Sequence, residues 1–222
     1  MQRQSLDLCG VWRFQPDPGD EGERAGYPQP THDIRLWREA HLPATFDRCH
    51  PGLEAYEGAA WFRRSVVAPA DWQDRRVLLR FHGANYHTRV WVNGTAVGAN
   101  EDGFLPFEFA VQDEIRFGEG NTFVVRVDNQ RREGEVPGQQ RGWRTYGGIL
   151  REVELVATDR FSLDYVEVRA FPTDEGGYLQ LFGYAHNGTT ADPIAAVSGQ
   201  VVDGEGRPLA ELHSGPLTIS AG

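Results

Sequence analysis

The sequence is poor in cysteine and contains no long apolar run. Its two cysteines, Cys9 and Cys49, are too few among 222 residues for a disulfide framework. Neither lies in a Cys-x-x-Cys or Cys/His pattern, so no zinc site is expected. No apolar stretch approaches the roughly 20 residues that a membrane-spanning helix needs. The composition therefore excludes a disulfide-stapled scaffold and a helical membrane protein.

Positive charge is also in short supply. The chain carries 32 acidic and 22 basic side chains, for a net charge of -10 at neutral pH. Because nucleic-acid binding depends on Lys and Arg neutralising phosphates, DNA and RNA are not expected partners. The glycine-containing segment 118–121 lacks the Lys-Ser/Thr of a phosphate loop, and no cofactor is expected. The first residues contain no apolar signal-peptide core, so we expect a cytoplasmic location without membrane contact.

What the sequence does contain is a period-two alternation of apolar and polar residues. Segments 87–92 (HTRVWV) and 121–128 (NTFVVRVD) are the clearest examples, with successive side chains expected on opposite faces of a sheet. Similar short runs lie at 6–14, 60–67, 76–81, 105–109, 149–157 and 162–170. Gly, Pro, Asn and Asp separate these runs, without intervening helices. The sequence therefore predicts an all-β protein built as a sandwich or barrel.

Two segments, 15–43 and 130–148, are long and irregular. The second contains Pro137, several glycines, four arginines and an aromatic pair. Loops of this length inside a compact domain are usually functional or mobile. On a β-sandwich they collect at the ends of the sheets, where ligand sites are commonly built.

After residue 158 the sequence alternates between strand-length segments and short turns. Strand-length segments at 161–171, 178–185, 194–203 and 208–214 are separated by the turn sequences DEGG, HNGT and DGEGR. We therefore predict two domains, 1–159 and 160–222. An immunoglobulin-like sandwich needs about 100 residues, so we expect the second domain to be truncated.

Two Asn-Gly-Thr sequences, at Asn93 and Asn187, match the pattern of N-glycosylation. Asn-Gly is also the strongest short signal for a hairpin turn. Since no export signal is present, the sequence favours turns at both positions.

Four segments, in this order, resemble the family 2 glycoside hydrolases. They are 6–14 (LDLCGVWRF), 56–64 (YEGAAWFRR), 81–109 and 146–155 (YGGILREVEL). The third is the most specific, with NYH leading into VWVNG and then GFLPFEF. The resemblance covers residues 5 to 170 and is stronger to the β-glucuronidases of that family than to its β-galactosidases.

The resemblance implies a jelly-roll sugar-binding domain, a partial immunoglobulin-like domain and a catalytic barrel beyond Gly222. In this family both catalytic groups are glutamates of the barrel, so none of the acidic residues here is assigned a catalytic role, and the chain alone is expected to be inactive. Retaining glycosidases need two carboxyl groups about 5 to 5.5 Å apart. The implied partners are a β-glycoside, the protein's own barrel domain and a possible second copy of the chain.

The loop before the Gly-Ile-x-Arg segment presents an acidic residue to the sugar in the resembled family. Here residues 139–146 read QQRGWRTY and contain no Asp or Glu, which leaves the substrate open. Arg141 and Arg144 could pair with a carboxylated or sulfated sugar through their forked guanidinium groups. Trp143 or Tyr146 could offer an apolar face to a pyranose ring. The alternative is that these residues stitch the loop to the sheet.

Asp47 lies where the resembled family has a polar residue facing the barrel, so it could hydrogen-bond a sugar hydroxyl. An ordinary turn residue is the alternative, and the sequence favours it. The sequence also favours structural roles for Asn85 and His87, and a turn for Glu101-Asp102. The predicted sugar-facing residues are therefore Asp47, Arg141, Trp143 and Arg144.

Two functions compete at this level. The first is the non-catalytic sugar-binding and scaffold region of a family 2 β-glycosidase. The second is a stand-alone carbohydrate-binding or structural docking module without hydrolase activity. An exposed apolar patch on one sheet face would favour docking, and an aromatic groove with nearby polar groups would favour sugar binding.

Overall fold

Alternating side chains along short strands build the first part of the protein, as the period-two pattern predicts. The computed structural model describes residues 3–135, 144–174 and 176–220. It divides into two compact units, one of which is Arg3–Ala157 and the other of which begins at Thr158. The strands described in the first unit are β1 (Gln4–Asp7), β2 (Gly10–Asp17), β3 (Arg38–Leu42), β4 (Ala44–Thr45), β5 (Ala59–Val67), β6 (Arg76–Phe81), β7 (Ala84–Asn85), β8 (His87–Val92), β9 (Thr95–Asn100), β10 (Phe107–Ala110), β11 (Gly120–Asp128), β12 (Gly148–Ile149) and β13 (Val153–Thr158).

Helix contributes little to this unit. A four-residue helix, α1, spans Phe46–Cys49, and a single 3-10 turn spans Ala70–Trp72. In the part of the chain that the structure describes, no helix is long and apolar enough to cross a membrane.

The strands form two large antiparallel sheets and one small one. A six-stranded sheet has the order β3-β2-β5-β11-β8-β9, and a four-stranded sheet has the order β1-β13-β6-β10. A three-stranded sheet, β4-β12-β7, is made of two-residue strands. The fold is all-β, as predicted.

The core lies between the two large sheets. One cluster of buried residues includes Phe62 and Val125 of the six-stranded sheet together with Leu79 and Leu155 of the four-stranded sheet. Burying a side chain of this size contributes about 1.5–3 kcal/mol to folding. Apolar residues from the inner faces of the two sheets thus make the core of a sandwich.

The segment between β2 and β3 covers the outer face of the six-stranded sheet. Tyr27 and Trp37 pack edge-on against each other at 5.0 Å between ring centroids, and Tyr27 packs in the same way on Trp61 at 5.5 Å. Asp17 accepts a 2.9 Å hydrogen bond from Trp61 Nε1. The buried Arg63 donates to the carbonyl oxygens of Gln29, Pro30 and His32. This segment is therefore an ordered cover for a second aromatic cluster.

Several strand limits differ from the sequence-based prediction. The predicted strand 6–14 is divided at Leu8–Cys9 between two sheets, and 149–157 is divided between β12 and β13. The predicted irregular segment 15–43 contains the end of β2 and the whole of β3. The period-two pattern does not show where the chain passes from one sheet to another. Strands of both sheets bury alternate side chains, so the pattern continues unchanged across the boundary.

The Asn93-Gly94 turn is confirmed. It joins β8 to β9 with φ of +52° at Asn93 and +89° at Gly94, the backbone that a two-residue hairpin requires. The Asn93 amide nitrogen donates to Glu114 O and Asn121 Oδ1. At the other site, Asn187 is buried at the end of a strand, and its Oδ1 accepts from Thr189 N at 3.0 Å, which forms an Asx turn and not a two-residue hairpin. Its amide nitrogen donates to Ala191 O and Ile219 O.

The second unit is also built of antiparallel strand pairs. Its strands are β14 (Phe161–Thr173), β15 (Gly176–Asn187), β16 (Ile194–Ala195), β17 (Ser198–Val202), β18 (Pro208–His213) and β19 (Leu217–Thr218). β14 pairs with β15, β16 with β19 and β17 with β18. Most of its large apolar side chains are exposed, and a groove of about 470 Å³ is lined by aliphatic residues such as Val166, Leu181 and Leu212.

Candidate functional site

The three-stranded sheet brings three distant parts of the first unit to one place. Gly148 of β12 pairs with Thr45 of β4 on one side and with Asn85 of β7 on the other. Asp47 follows β4, Tyr146 precedes β12, and His87 follows β7. The predicted candidates before β12 and after β4 therefore lie side by side.

The position of Asp47 is set by α1. Phe46, at the start of this helix, is buried and packs on Phe62, Phe14 and Tyr56. Its backbone N–H donates to Gly147 O at 2.8 Å, which ties the helix to the segment before β12. With Phe46 fixed in the core, Asp47 is directed to the partly exposed side.

Arg144 contacts Asp47 and two further groups. Its Nη2 donates to Asp47 Oδ2 at 3.2 Å, and its Nη1 donates to Glu54 O at 2.7 Å. The guanidinium carbon lies 4.7 Å from the ring centroid of Tyr146, within the range of a cation–π contact. The sequence identified these residues separately, and the structure joins them in one group, which we call the Asp47–Arg144–Tyr146 cluster.

The carboxylate of Asp47 is stabilised in its charged form. A hydrogen bond with the Thr45 side chain and the nearby charge of Arg144 lower the pKa of Asp47, although partial burial opposes this effect. Asp47 is therefore ionised at neutral pH and acts as a hydrogen-bond acceptor.

Arg141 and Trp143, the other two predicted sugar-facing residues, lie outside the described residues. Their roles remain the predictions made from the sequence. Arg144 and Tyr146 are described, and both are exposed at the surface of the cluster.

Two glycines allow β12 to approach α1 and β4 closely. A Cβ on Gly147 would lie 2.2 Å from Phe46 Cε2, and a Cβ on Gly148 would lie 2.3 Å from Ala44 O. Gly148 also has a φ of +139°, where side chains are strained. The Gly-Gly pair is therefore required for the backbone contact that assembles the cluster.

Asn129 joins the segments on either side of the cluster by hydrogen bonds, and the sequence did not predict this role. The residue is buried, and its amide nitrogen donates to Tyr56 O and Thr145 O, both at 3.0 Å. Its Oδ1 accepts from Gly58 N at 2.9 Å. The position of an Asn directly after a buried strand could have marked the residue as a candidate. It does not show which loops the amide group joins by hydrogen bonds.

Asn85 is the second buried amide at this end. Its Nδ2 donates to Tyr146 O, and its Oδ1 has no hydrogen-bond partner among the residues that the structure describes. Gly103 lies against it, since a Cβ there would come within 2.1 Å of Asn85 Oδ1. This agrees with the structural role that the sequence favours for Asn85.

The arrangement can donate and accept hydrogen bonds and can present part of an aromatic ring. Tyr146 is 51% exposed, and the side chains of Arg144 and Asp47 are partly exposed. These are the groups that recognise a polyhydroxylated ring with an apolar face.

The sequence profile of the glycosyl hydrolase family 2 sugar binding domain matches residues 23–159. The chain belongs to glycosyl hydrolase family 2. Relatives of this chain include a β-glucuronidase from Paenibacillus borealis, 26% identical over 99% of this chain and 39% of the relative. A β-glucuronidase from Rattus norvegicus is 33% identical over 54% of this chain and 20% of the relative. A β-galactosidase from Thermoanaerobacter pseudethanolicus is 26% identical over 70% of this chain and 21% of the relative.

Solved β-glucuronidase structures show the same fold. The β-glucuronidase from Ruminococcus gnavus in complex with D-glucaro-d-lactam superposes with a TM-score of 0.79 at 23% identity, over 96% of this chain and 38% of that chain. The chain thus spans about two fifths of the length of the relatives that it matches along its whole length. The predicted family and the predicted β-sandwich fold are confirmed.

Proposed function

We propose that this chain is the sugar-facing, non-catalytic region of a β-glycosidase of family 2. The observation that carries the proposal is the meeting of Asp47, Arg144 and Tyr146 at one end of a domain that belongs to a sugar-binding family. In this proposal the cluster supplies part of the sugar-contacting wall, and the protein's own barrel domain supplies the catalytic glutamates.

The contacts of Arg144 favour a neutral sugar ring over a carboxylated one at this position. Both Nη atoms already donate, one to Asp47 and one to Glu54 O. The ionised Asp47 carboxylate beside Arg144 already balances the guanidinium charge and repels a second carboxylate at this position. A pyranose hydroxyl needs only one acceptor or donor, and the open part of the Tyr146 ring can pack on its apolar face. The cluster is therefore proposed to contact hydroxyl groups of a β-glycoside.

The isolated chain is proposed to be inactive, because hydrolysis needs a matched acid and nucleophile pair. The measurement is release of nitrophenol from nitrophenyl β-glycosides by the pure 222-residue chain. Any turnover above that of a heat-denatured control would contradict the proposal. Sugar binding by the chain alone should be weak, since one wall of a site makes few contacts, and sub-micromolar monosaccharide binding would also contradict it.

The decisive experiment uses the complete gene product. We would assay it on β-glucuronides, β-galactosides and β-mannosides, alongside Arg144→Ala and the control Arg35→Ala, which removes an arginine that is 88% exposed on the segment before β3. The proposal expects one substrate class to be hydrolysed and Arg144→Ala alone to raise KM for it. Hydrolysis of no class, or equal effects of the two variants, would overturn the corresponding part of the proposal.

A docking role is the second candidate, and the second unit carries the observation that favours it. Val166, Leu181 and Leu212 line its aliphatic groove, and Val166 and Leu181 are more than 40% exposed. Exposed apolar surface of this kind marks an interaction site. Binding of a hydrophobic dye by the wild-type chain, lost in Leu181→Asp, would support docking, and no dye binding would count against it.

We further propose that residues 160–222 are part of an immunoglobulin-like sandwich. Its support is the set of antiparallel hairpins with aliphatic residues on a shared groove.

A cytoplasmic location is part of the proposal as well, supported by Cys9 and Cys49 both being free thiols. We also propose that the complete gene product associates with a second copy of itself. Sedimentation of that product would test this.

A further inference from the structure

A cavity of about 400 Å³ opens on the outer face of the six-stranded sheet, beside the segment that joins β2 to β3. This volume lies within the range of about 300–1,000 Å³ that small-molecule sites occupy. Three strands and the joining segment build its walls, which include Val11 and Arg13 of β2, Ile34 of the segment, Glu39 of β3, and Arg63 and Ser65 of β5.

Alternation along the strands decides which side chains point into the cavity. Arg13 is the strand-pair partner of Arg63 on one side and of Glu39 on the other, so these three side chains share one face of the sheet. Trp12 and Arg64 also border the cavity. Trp12 belongs to the core between the two sheets, and Arg64 follows Arg63 directly, so both side chains are directed to the opposite face.

Two guanidinium groups and one carboxylate therefore face the cavity. Arg13 Nη2 lies 3.2 Å from Glu39 Oε1, and Arg13 Nη1 lies 3.5 Å from Trp37 O. The buried Arg63 donates to backbone carbonyl oxygens, and no carboxylate among the described residues forms an ion pair with it. Like charges at directly opposite strand positions are unfavourable. One positive charge is thus left without a balancing carboxylate.

Arg63 also retains an unfilled hydrogen-bond donor. Its Nε is buried and has no acceptor in the part of the chain that the structure describes. Burial lowers the pKa of Arg63, because removal from water disfavours the charged guanidinium. A negatively charged ligand in the cavity would offset this cost without touching Arg63, since charges interact over several ångströms.

The other walls suit a hydroxylated ring. Ser65 is exposed, and its hydroxyl can both donate and accept a hydrogen bond. Val11 is 47% exposed and Ile34 is half-buried, so both offer apolar surface. An acid group for the arginines, hydroxyl groups for Ser65 and an apolar ring face for Val11 and Ile34 occur together in a sugar acid.

We propose that this cavity binds a single sugar acid, a pyranose that carries a carboxylate. The acid group lies against Arg13, whose side chain is 43% exposed, within the field of Arg63. The charge balance differs from that of the Asp47–Arg144–Tyr146 cluster, where one carboxylate faces one guanidinium. The two sites share no residue, so this proposal goes beyond the proposed function and does not rest on it.

The test is an NMR titration of the ¹⁵N-labelled 222-residue chain with D-galacturonate, with D-galactose as the neutral ligand of the same ring. We expect amide signals around Arg13 and Ser65 to shift with a Kd in the millimolar range, because a single small ligand makes few contacts. Galactose should bind about five-fold more weakly, since it lacks the charge. Equal affinities, or no shift with galacturonate in the millimolar range, would overturn the proposal.

Two variants change the charge balance in opposite directions. Arg13→Gln removes the exposed guanidinium and should weaken galacturonate binding about two- to five-fold. Glu39→Gln removes the competing carboxylate and should strengthen binding by a similar factor. A site that recognised only neutral hydroxyl groups would lose affinity in both variants, because each loses a charged hydrogen-bonding group. Weaker galacturonate binding by Glu39→Gln would therefore overturn the proposal.

Two controls locate the binding. Arg38→Gln removes the same charge from β3 at a position outside the cavity wall, and Arg144→Ala alters the cluster. Neither should change galacturonate binding. Equal losses in Arg38→Gln and Arg13→Gln would indicate general charge attraction, and a loss in Arg144→Ala alone would place binding at the cluster. Either result would overturn the proposal. Hydrolysis is not measured here, so failure of this proposal is distinct from failure of the proposed function.

Discussion

Arg144 Nη2 lies 3.2 Å from Asp47 Oδ2, although the two residues are 97 positions apart in the chain. The contact exists because β12 pairs with β4, so that the residues before one strand meet the helix after the other. The sequence left two interpretations of Arg144 open, contact with a sugar and attachment of its loop to the sheet. In the structure Arg144 attaches the loop to the helix that follows β4. This attachment does not compete with sugar contact, because both side chains remain partly exposed.

The Arg144–Asp47 pair should contribute little to stability. Its side chains are 37% and 26% exposed, and pairs of this kind are worth about 0–1 kcal/mol. A double-mutant cycle of Arg144→Ala and Asp47→Ala, followed by urea unfolding, should give a coupling free energy in that range. A coupling above about 2 kcal/mol would show that the pair is a structural element of the fold.

The contribution of Asp47 should fade at acidic pH. Its pKa is lowered in the folded protein by the Thr45 side chain and by Arg144. A lowered folded-state pKa gives stability that is present above the unfolded value of about 3.9 and is lost as the pH falls through the folded value. The difference in free energy of unfolding between wild type and Asp47→Asn should therefore shrink below about pH 4. A difference that grows on acidification would contradict the assignment.

Gly148 should not tolerate a side chain. Gly148→Ala places a Cβ 2.3 Å from Ala44 O at a φ of +139°, so we expect a loss of at least about 2 kcal/mol in the free energy of unfolding. The matched control is Gly120→Ala in β11, where a Cβ meets nothing within 4 Å. Similar urea midpoints for the two variants would show that β12 can move away from β4 without cost.

Cys49 should be unreactive in the folded chain. Burial raises the pKa of Cys49 to about 12, and the charge of Asp47 adds to this effect. Burial also raises the pKa of Cys9, which is only partly buried. Because the thiolate is the reactive form, a thiol reagent at pH 8 should modify Cys9 slowly and Cys49 only after unfolding in urea. Cys9→Ser supplies the control, and rapid modification of that variant under native conditions would contradict the prediction.

Much of the fold could be predicted from local pattern. The alternation in β8 and β11 placed these strands correctly. It did not show that both faces of β11 are buried, with Val125 in the core and Val124 in the second aromatic cluster. The strand β3 was missed because Arg38, Glu39 and His41 give an edge strand a polar appearance. The candidate site was predicted only as separate residues.

The sequence by itself determined the fold class, the turn at Asn93-Gly94 and the family, since these depend on periodicity, on local backbone preference and on an ordered set of motifs. Only the tertiary structure decided that Asp47 meets Arg144 and that Asn129 supports the loop before β12. The reason is physical. Local sequence sets the conformation of each strand, but pairing between distant strands depends on which surfaces the whole chain can bury together.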